Sequence, residues 1–210
     1  MTVAILIPYR GTNKGKGRLR KDIDDSIVDN ILFEMTQHII EESSKIDCQN
    51  NIYLLTRNQN TEFKGSYNSL VDEGDDLNSA VGLASKKLEE DIVLVIMADL
   101  PLISKDEIEK TIYLIQETNQ AIIAPSQDNG TSLLGFVRGS LTEFVFGKNS
   151  SYKFQEIFKT NKIPYHKLNY KKSFKDIDTF KDLTEIAQDD LCPKWLKEIV
   201  MEYRKNERED

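Results

Sequence analysis

Cysteine and histidine are scarce in this 210-residue chain, with two of each. Cys48 and Cys192 lie far apart and fall in no metal-like spacing, which argues against a disulfide framework and makes a reducing cytoplasm the expected setting. His38 and His166 stand near no chemical motif and read as ordinary helix or surface residues. Long apolar runs are also missing. The run Val3 to Ile7 is broken by Pro8 and Arg10, too early for a secretory leader or a membrane span, so no membrane partner is expected. There is no internal repeat and no low-complexity linker. The net charge of −7 speaks against a general nucleic-acid binder.

The residues that are present describe a soluble globular protein, since 39% are hydrophobic and 30% charged. The length suits a single domain with a real core over residues 1–190, followed by an amphipathic helix and a frayed tail over 191–210. Charge is unevenly placed. Six basic residues and no acid fall between Arg10 and Lys21. Such a patch is either a solvated basic loop or a seat for a local anion such as phosphate.

Short β-rich runs alternate with helical ones. Val3–Pro8, Asn51–Thr56, a short segment near Ser69–Val71, Ile92–Met97, Ala121–Ala124 and Leu133–Arg138 read as strands, with an extended segment over Ile163–Leu168. Ile92–Met97 has no polar alternation and belongs at the centre of a sheet covered on both faces. Helical spacing links Ile27, Ile31, Met35 and Ile39, then Leu77, Val81, Ala84 and Leu88, then Ile108, Ile112 and Ile115. Ser104 with Glu107 forms a capping-box pattern, and Asp178 looks like an N-cap for a helix towards Ile186. A stripe of Trp195, Leu196, Ile199, Val200 and Tyr203 either packs on the body or meets a second copy of the chain. The alternation implies a three-layer α/β sandwich with a mostly parallel sheet. Ligands of such sheets bind outside the carboxyl ends of the strands, here the loops after Ile7, Met97 and Ala124.

Those loops carry the chemistry. In Pro8–Leu19 the glycines at 11, 15 and 17 let a ligand approach the backbone, and Lys14, Lys16 and Arg18 offer charge to phosphate, although no P-loop spacing is present. Asp99 follows the most buried strand, where a carboxylate suits a divalent cation or simply makes a turn before Pro101. The acidic stretch Asp72–Ala80 is either a solvated turn with Asp75 or Asp76 as a cap, or a nucleotide contact through Asn78. Pro125–Ser132 and Phe146–Ser151 combine hydroxyls and glycines before a helix, as a phosphate cradle or as a cap by Ser150 or Ser151. Asp176 and Asp178 share one side if the segment is extended.

Six ordered stretches carry a resemblance. They are Lys16-Gly-Arg-Leu19, Asp72 to Ala80, Ala98-Asp-Leu-Pro-Leu102, Pro125 to Thr131, Phe146 to Ser150 and Asp176-Ile-Asp-Thr-x-x-Asp-Leu183. In them the chain resembles the 2-phospho-L-lactate or phosphoenolpyruvate guanylyltransferases of deazaflavin coenzyme F-420 synthesis. The resemblance implies a nucleotide-diphospho-sugar transferase fold of the glycosyltransferase A type. It also implies GTP and a small phosphorylated carboxylic acid as partners, with magnesium as cofactor. Asp99 and Asp178 would hold the metal, with Asp176 as the rival of Asp178. Thr131, Gly147 and Ser150 would bind the acceptor. Lys16 and Arg18 would hold the triphosphate and act in catalysis with Asp99, while Pro8, Asp72 and Asn78 lie on the nucleotide side. Two departures fall on the acceptor side: Asn129-Gly-Thr-Ser132 stands for the usual Gly-Gly-Thr-Asn, and Ser151 and Phe154 replace the usual Phe and His. The competing expectations are another nucleotidyltransferase of this fold, such as a molybdopterin guanylyltransferase, a cytidylyltransferase or a sugar-nucleotide enzyme, or a non-catalytic nucleotide sensor.

Overall fold

The computed structural model describes residues 1–11, 15–57 and 62–206, with side chains described as far as 203. Lys14 and the end of the expected frayed tail lie outside the described residues.

Continuous β-branched runs give the middle of the sheet, because a strand buried on both faces has no use for polar alternation. Among the described residues seven strands form: β1 (Val3–Pro8), β2 (Asn50–Thr56), β3 (Asn68–Val71), β4 (Ile92–Ile96), β5 (Ala121–Pro125), β6 (Thr131–Val137) and β7 (Tyr165–Lys167). Their order is β3-β2-β1-β4-β6-β5-β7, so β4 is the middle strand and is buried throughout. All pairings are parallel except those of β6, which runs against both β4 and β5. The sheet is therefore mostly parallel, with one reversed strand. That reversal brings the first residues of β6, Thr131 and Ser132, to the edge where its neighbours end; the Met97 N–H donates to the Ser132 carbonyl at 3.0 Å.

The period-two alternation sorts side chains into two layers. Val3, Ile5 and Ile7 face a core closed by α1 (Asp25–Ser44) and α3 (Lys105–Thr118) through Ile39, Ile40, Ile108, Ile112 and Ile115. Ala4 and Leu6 face the opposite core, closed by α2 (Leu77–Lys87) and α4 (Ser150–Thr160) through Val81, Ala84, Phe154 and Phe158. A third cluster joins Val28, Ile31 and Met35 of α1 to Leu183 of α5 (Phe180–Ala187) and to Leu196 and Val200 of α6 (Lys194–Asn206). The C-terminal stripe thus packs on its own chain, which removes the reason it gave for expecting a second subunit. No helix among the described residues is long and apolar enough to cross a membrane.

Helix ends differ from the expectations in three places. Ser104 caps α3 by accepting from the Glu107 N–H, but the Glu107 carboxylate pairs with Lys171 at 2.9 Å instead of closing the box. The cap of α5 is Thr179, in a full capping box with Asp182, and not Asp178. The cap position of α4 is Asn149 in the left-handed region at φ 57°, and neither Ser150 nor Ser151 caps that helix. The shift in α5 leaves Asp178 available to the site, whereas Ser150 stays fully buried.

Candidate active site

The loops at the carboxyl edge of the sheet build one hollow of about 520 Å³, walled by Arg18, Asp99, Thr131, Gly147 and Asp176 among others. Local sequence explains how each wall is held. Ile177 is fully buried, so the extended segment around it turns Asp176 and Asp178 to the same side. The Thr179–Asp182 box pins the end of this segment: the Asp182 carboxylate accepts from the Thr179 N–H at 2.9 Å and the Asp178 N–H at 3.3 Å. Its start is tied down by buried Phe174, whose carbonyl accepts from the Ser132 hydroxyl at 2.8 Å.

Asp99, Asp176 and Asp178 converge: one carboxylate oxygen of each lies within 4.8 Å of the others. Between them stands Lys16. Its ammonium donates to Asp99 Oδ2 at 2.5 Å and to Asp178 Oδ1 at 2.6 Å, and the side chain is only 8% exposed. Arg18 reaches the other oxygen of Asp178 at 2.5 Å. Burial alone would lower the Lys16 pKa, but the charges of Asp99 and Asp178 reverse that, so the group stays charged with its pKa above the ordinary lysine value. Asp176 has the opposite experience. Burial pushes its carboxyl up to about 6, and the charge of Asp99 adds to the rise against the opposing pull of Lys16. Three carboxylates in this space suit a hard divalent cation, which prefers oxygen ligands and relieves their repulsion. The donor set therefore fits magnesium.

The opposite wall is a set of interlocked turns. Asp128 Oδ1 accepts from the Ser126 hydroxyl at 2.5 Å and the Gly130 N–H at 3.0 Å. A β-carbon at Gly130 would come within 2.6 Å of Ser126 Oγ, so a side chain there would push the Ser126 hydroxyl from its bond to Asp128. Gly147 adopts φ 120°, which side chains rarely tolerate. Thr131 and Ser150 share a buried hydroxyl–hydroxyl bond of 2.8 Å, and the Ser151 N–H and hydroxyl both donate to the Asn129 carbonyl. Thr131 and Gly147 line the hollow, and Ser150 sits directly behind Thr131.

Two residues expected on the nucleotide side have partners within the scaffold. Asn78 accepts from the Phe146 N–H at 2.6 Å and donates to its carbonyl at 3.3 Å, clamping the 146–150 loop to α2. Asp72 has a carboxylate only 2% exposed, which accepts from the Gly74 N–H and faces Arg10 and Arg57, each at 3.5 Å. Pro8 ends β1 and is buried. Arg57 follows β2 and is findable by the same carboxyl-edge rule, although no motif marks it. Asp128 and Lys148, both in the wall of the hollow, lie inside the Pro125–Ser132 and Phe146–Ser151 stretches without standing out there. Asp76, not Asp75, caps α2, in a capping box with Ser79.

Comparison with known proteins places the chain in a family. A family model described as guanylyl transferase CofC like matches residues 3–209. The 2-phospho-L-lactate guanylyltransferase of Methanocaldococcus infernus is 33% identical over 184 residues, 86% of this chain and 82% of that protein. The phosphoenolpyruvate guanylyltransferase of Thermobaculum terrenum is 25% identical over 193 residues, 89% of this chain and 84% of that protein. Among solved structures, one from Desulfovibrio desulfuricans G20 assigned to the nucleotide-diphospho-sugar transferases superposes with a TM-score of 0.82 at 15% identity, covering 99% of this chain and 97% of that one. The 4-diphosphocytidyl-2C-methyl-D-erythritol synthase of Anaerococcus prevotii gives 0.59 at 13% identity, with 86% and 94% covered. At those identities the structural likeness establishes the fold alone. By the match along nearly its whole length and by its relatives, this chain belongs to the guanylyl transferase CofC-like family.

Proposed function

We propose that this chain transfers GMP from GTP to 2-phospho-L-lactate or phosphoenolpyruvate in the cytoplasm, with release of pyrophosphate, as a step of coenzyme F-420 synthesis. One observation carries the reading. Asp99, Asp176 and Asp178, distant in sequence, meet Lys16 and Arg18 beside a hollow lined by glycine and hydroxyl groups. A phosphate oxygen of the acceptor would attack the α-phosphorus of GTP, and the bond from that phosphorus to the β-phosphate bridge would break in line. The acceptor phosphate is largely dianionic near neutral pH, since its second pKa is about 6, so no general base is needed. That agrees with a hollow whose lining includes no histidine among the described residues.

The chain's own groups then position and neutralise. Lys16 and Arg18 absorb charge on the departing pyrophosphate. Thr131 and Gly147 hold the acceptor, with Ser150 fixing Thr131 from behind, through a wall that is already hydrogen-bonded before it arrives. Asp99 and Asp178, with Asp176, would hold magnesium, which when bound supplies charge neutralisation to the phosphates. The test is a panel of four nucleoside triphosphates against several phospho-acids, read by pyrophosphate release. Release with GTP and one of the two named acceptors supports the reading. Release with CTP or a sugar phosphate instead, or binding without release, contradicts it.

A further inference from the structure

The ammonium of Lys16 sits where three carboxylates converge, and its position has a consequence for how the cation arrives. Its two bonds, 2.5 Å to Asp99 and 2.6 Å to Asp178, use oxygens of two of the three carboxylates that could ligate a metal. A divalent cation and the lysine therefore compete for the same negative charge. The local backbone suits a side chain that must change partners. Lys16 lies at φ 61°, a left-handed conformation unusual for a residue with a β-carbon, and it is flanked by Gly15 and Gly17. Gly17 is exposed, and a β-carbon there would meet nothing within 4 Å, so the loop has room to turn.

We infer that Lys16 is a built-in counter-ion that holds the metal site closed until a nucleotide arrives. It neutralises Asp99 and Asp178 in the free protein, and it moves to the triphosphate when metal and nucleotide enter together. This rests on the reading of the three aspartates as a metal site and deepens it. A bare cation must displace a buried ammonium from two carboxylates and brings no anion to replace them. A cation that comes with a triphosphate brings the anion that receives the ammonium. Metal and nucleotide binding are then positively coupled through one side chain, and by linkage each strengthens the other equally.

The test is a titration of metal-stripped protein with Mn²⁺, followed by the electron paramagnetic resonance of the free ion. Wild type, Lys16→Met and Lys16→Gln are compared with and without a non-hydrolysable GTP analogue. Without nucleotide, both variants are expected to bind Mn²⁺ about tenfold tighter than wild type, a coupling of ordinary size. With the analogue the gap narrows, because only wild type gains from relocating the lysine. Folded variants that bind Mn²⁺ no tighter than wild type overturn the proposal and leave the metal site standing. No Mn²⁺ binding by any of the three proteins overturns the metal site and the proposal together. If neither variant folds, labelling the wild type with an amine-reactive reagent decides. Mn²⁺ alone, at concentrations high enough to fill the site, is expected to expel the ammonium and raise modification of Lys16, located by peptide mapping, and unchanged modification overturns the proposal.

Discussion

Single residues at this site have opposite electrostatic tasks although they share one chemistry. Asp99 gives its charge to Lys16 and, in the proposed function, to a cation, so removing that charge is expected to remove a transition-state element and not a fold element. Asp99→Asn is expected to lower kcat by about two orders of magnitude or more, the scale for losing a key electrostatic group. Its melting temperature should stay near that of wild type, and a folded variant with near-normal turnover would contradict the assignment. Glu90, far from this chemistry, is structural. It accepts from Asn51 Nδ2 and from the Tyr53 hydroxyl, both at 2.7 Å, and although burial pulls its pKa upward these bonds win and hold the carboxyl below its ordinary value. Replacing it by Gln is expected to cost about 1–3 kcal/mol at pH 7, the range for disturbing a buried hydrogen-bonded group. A depressed carboxylate contributes stability that is complete above pH 4.5 and is lost as pH falls through the folded-state value. Denaturant titrations should therefore show the gap between wild type and Glu90→Gln closing on acidification.

Elements place these residues through their ends more than through their middles. Thr179, as the true cap of α5, leaves Asp178 free to meet Lys16 and Arg18. Thr179→Ala is expected to destabilise the protein by about 1 kcal/mol, the usual worth of a cap. It should also loosen Asp178, so kcat should fall by more than that loss of stability alone would give at a temperature where the protein is fully folded. A variant as active as wild type would separate the cap from the site. Asn78 plays the same part for the acceptor wall, holding Phe146 from both sides. Asn78→Ala is expected to raise the KM for the phospho-acid several-fold through the 146–150 loop, measured at saturating nucleotide. An effect confined to the nucleotide KM would instead mean that Asn78 touches the nucleotide.

At the scale of the whole molecule, the sheet was the most legible part of the sequence. Ile92–Ile96 announces a central strand because five apolar residues in a row can be satisfied only with cover on both faces. The reversal of β6 was not legible. Apolar runs such as Leu133 and Leu134 carry no sign of direction, which is set by the short connection from β5. The candidate site was legible as parts. Asp99 and the Lys16 loop follow from the carboxyl-edge rule, whereas the convergence of Asp176 and Asp178 with them depends on the third core of α1, α5 and α6. Spacing along the chain holds no information on that packing. Side chains with two plausible roles were the hardest, because Asp72 and Asn78 look alike as ligand contacts and as scaffold until their partners are seen.

The central claim is that an acceptor phosphate attacks the α-phosphorus of GTP in the hollow beside Asp99. The most direct measurement is the mass of the product formed from GTP and each acceptor carrying ¹⁸O in all its non-bridging phosphate oxygens. The account requires an acceptor–GMP adduct that retains the full label, with unlabelled pyrophosphate. Label in the pyrophosphate, or GDP or free GMP as the only nucleotide product, would contradict it.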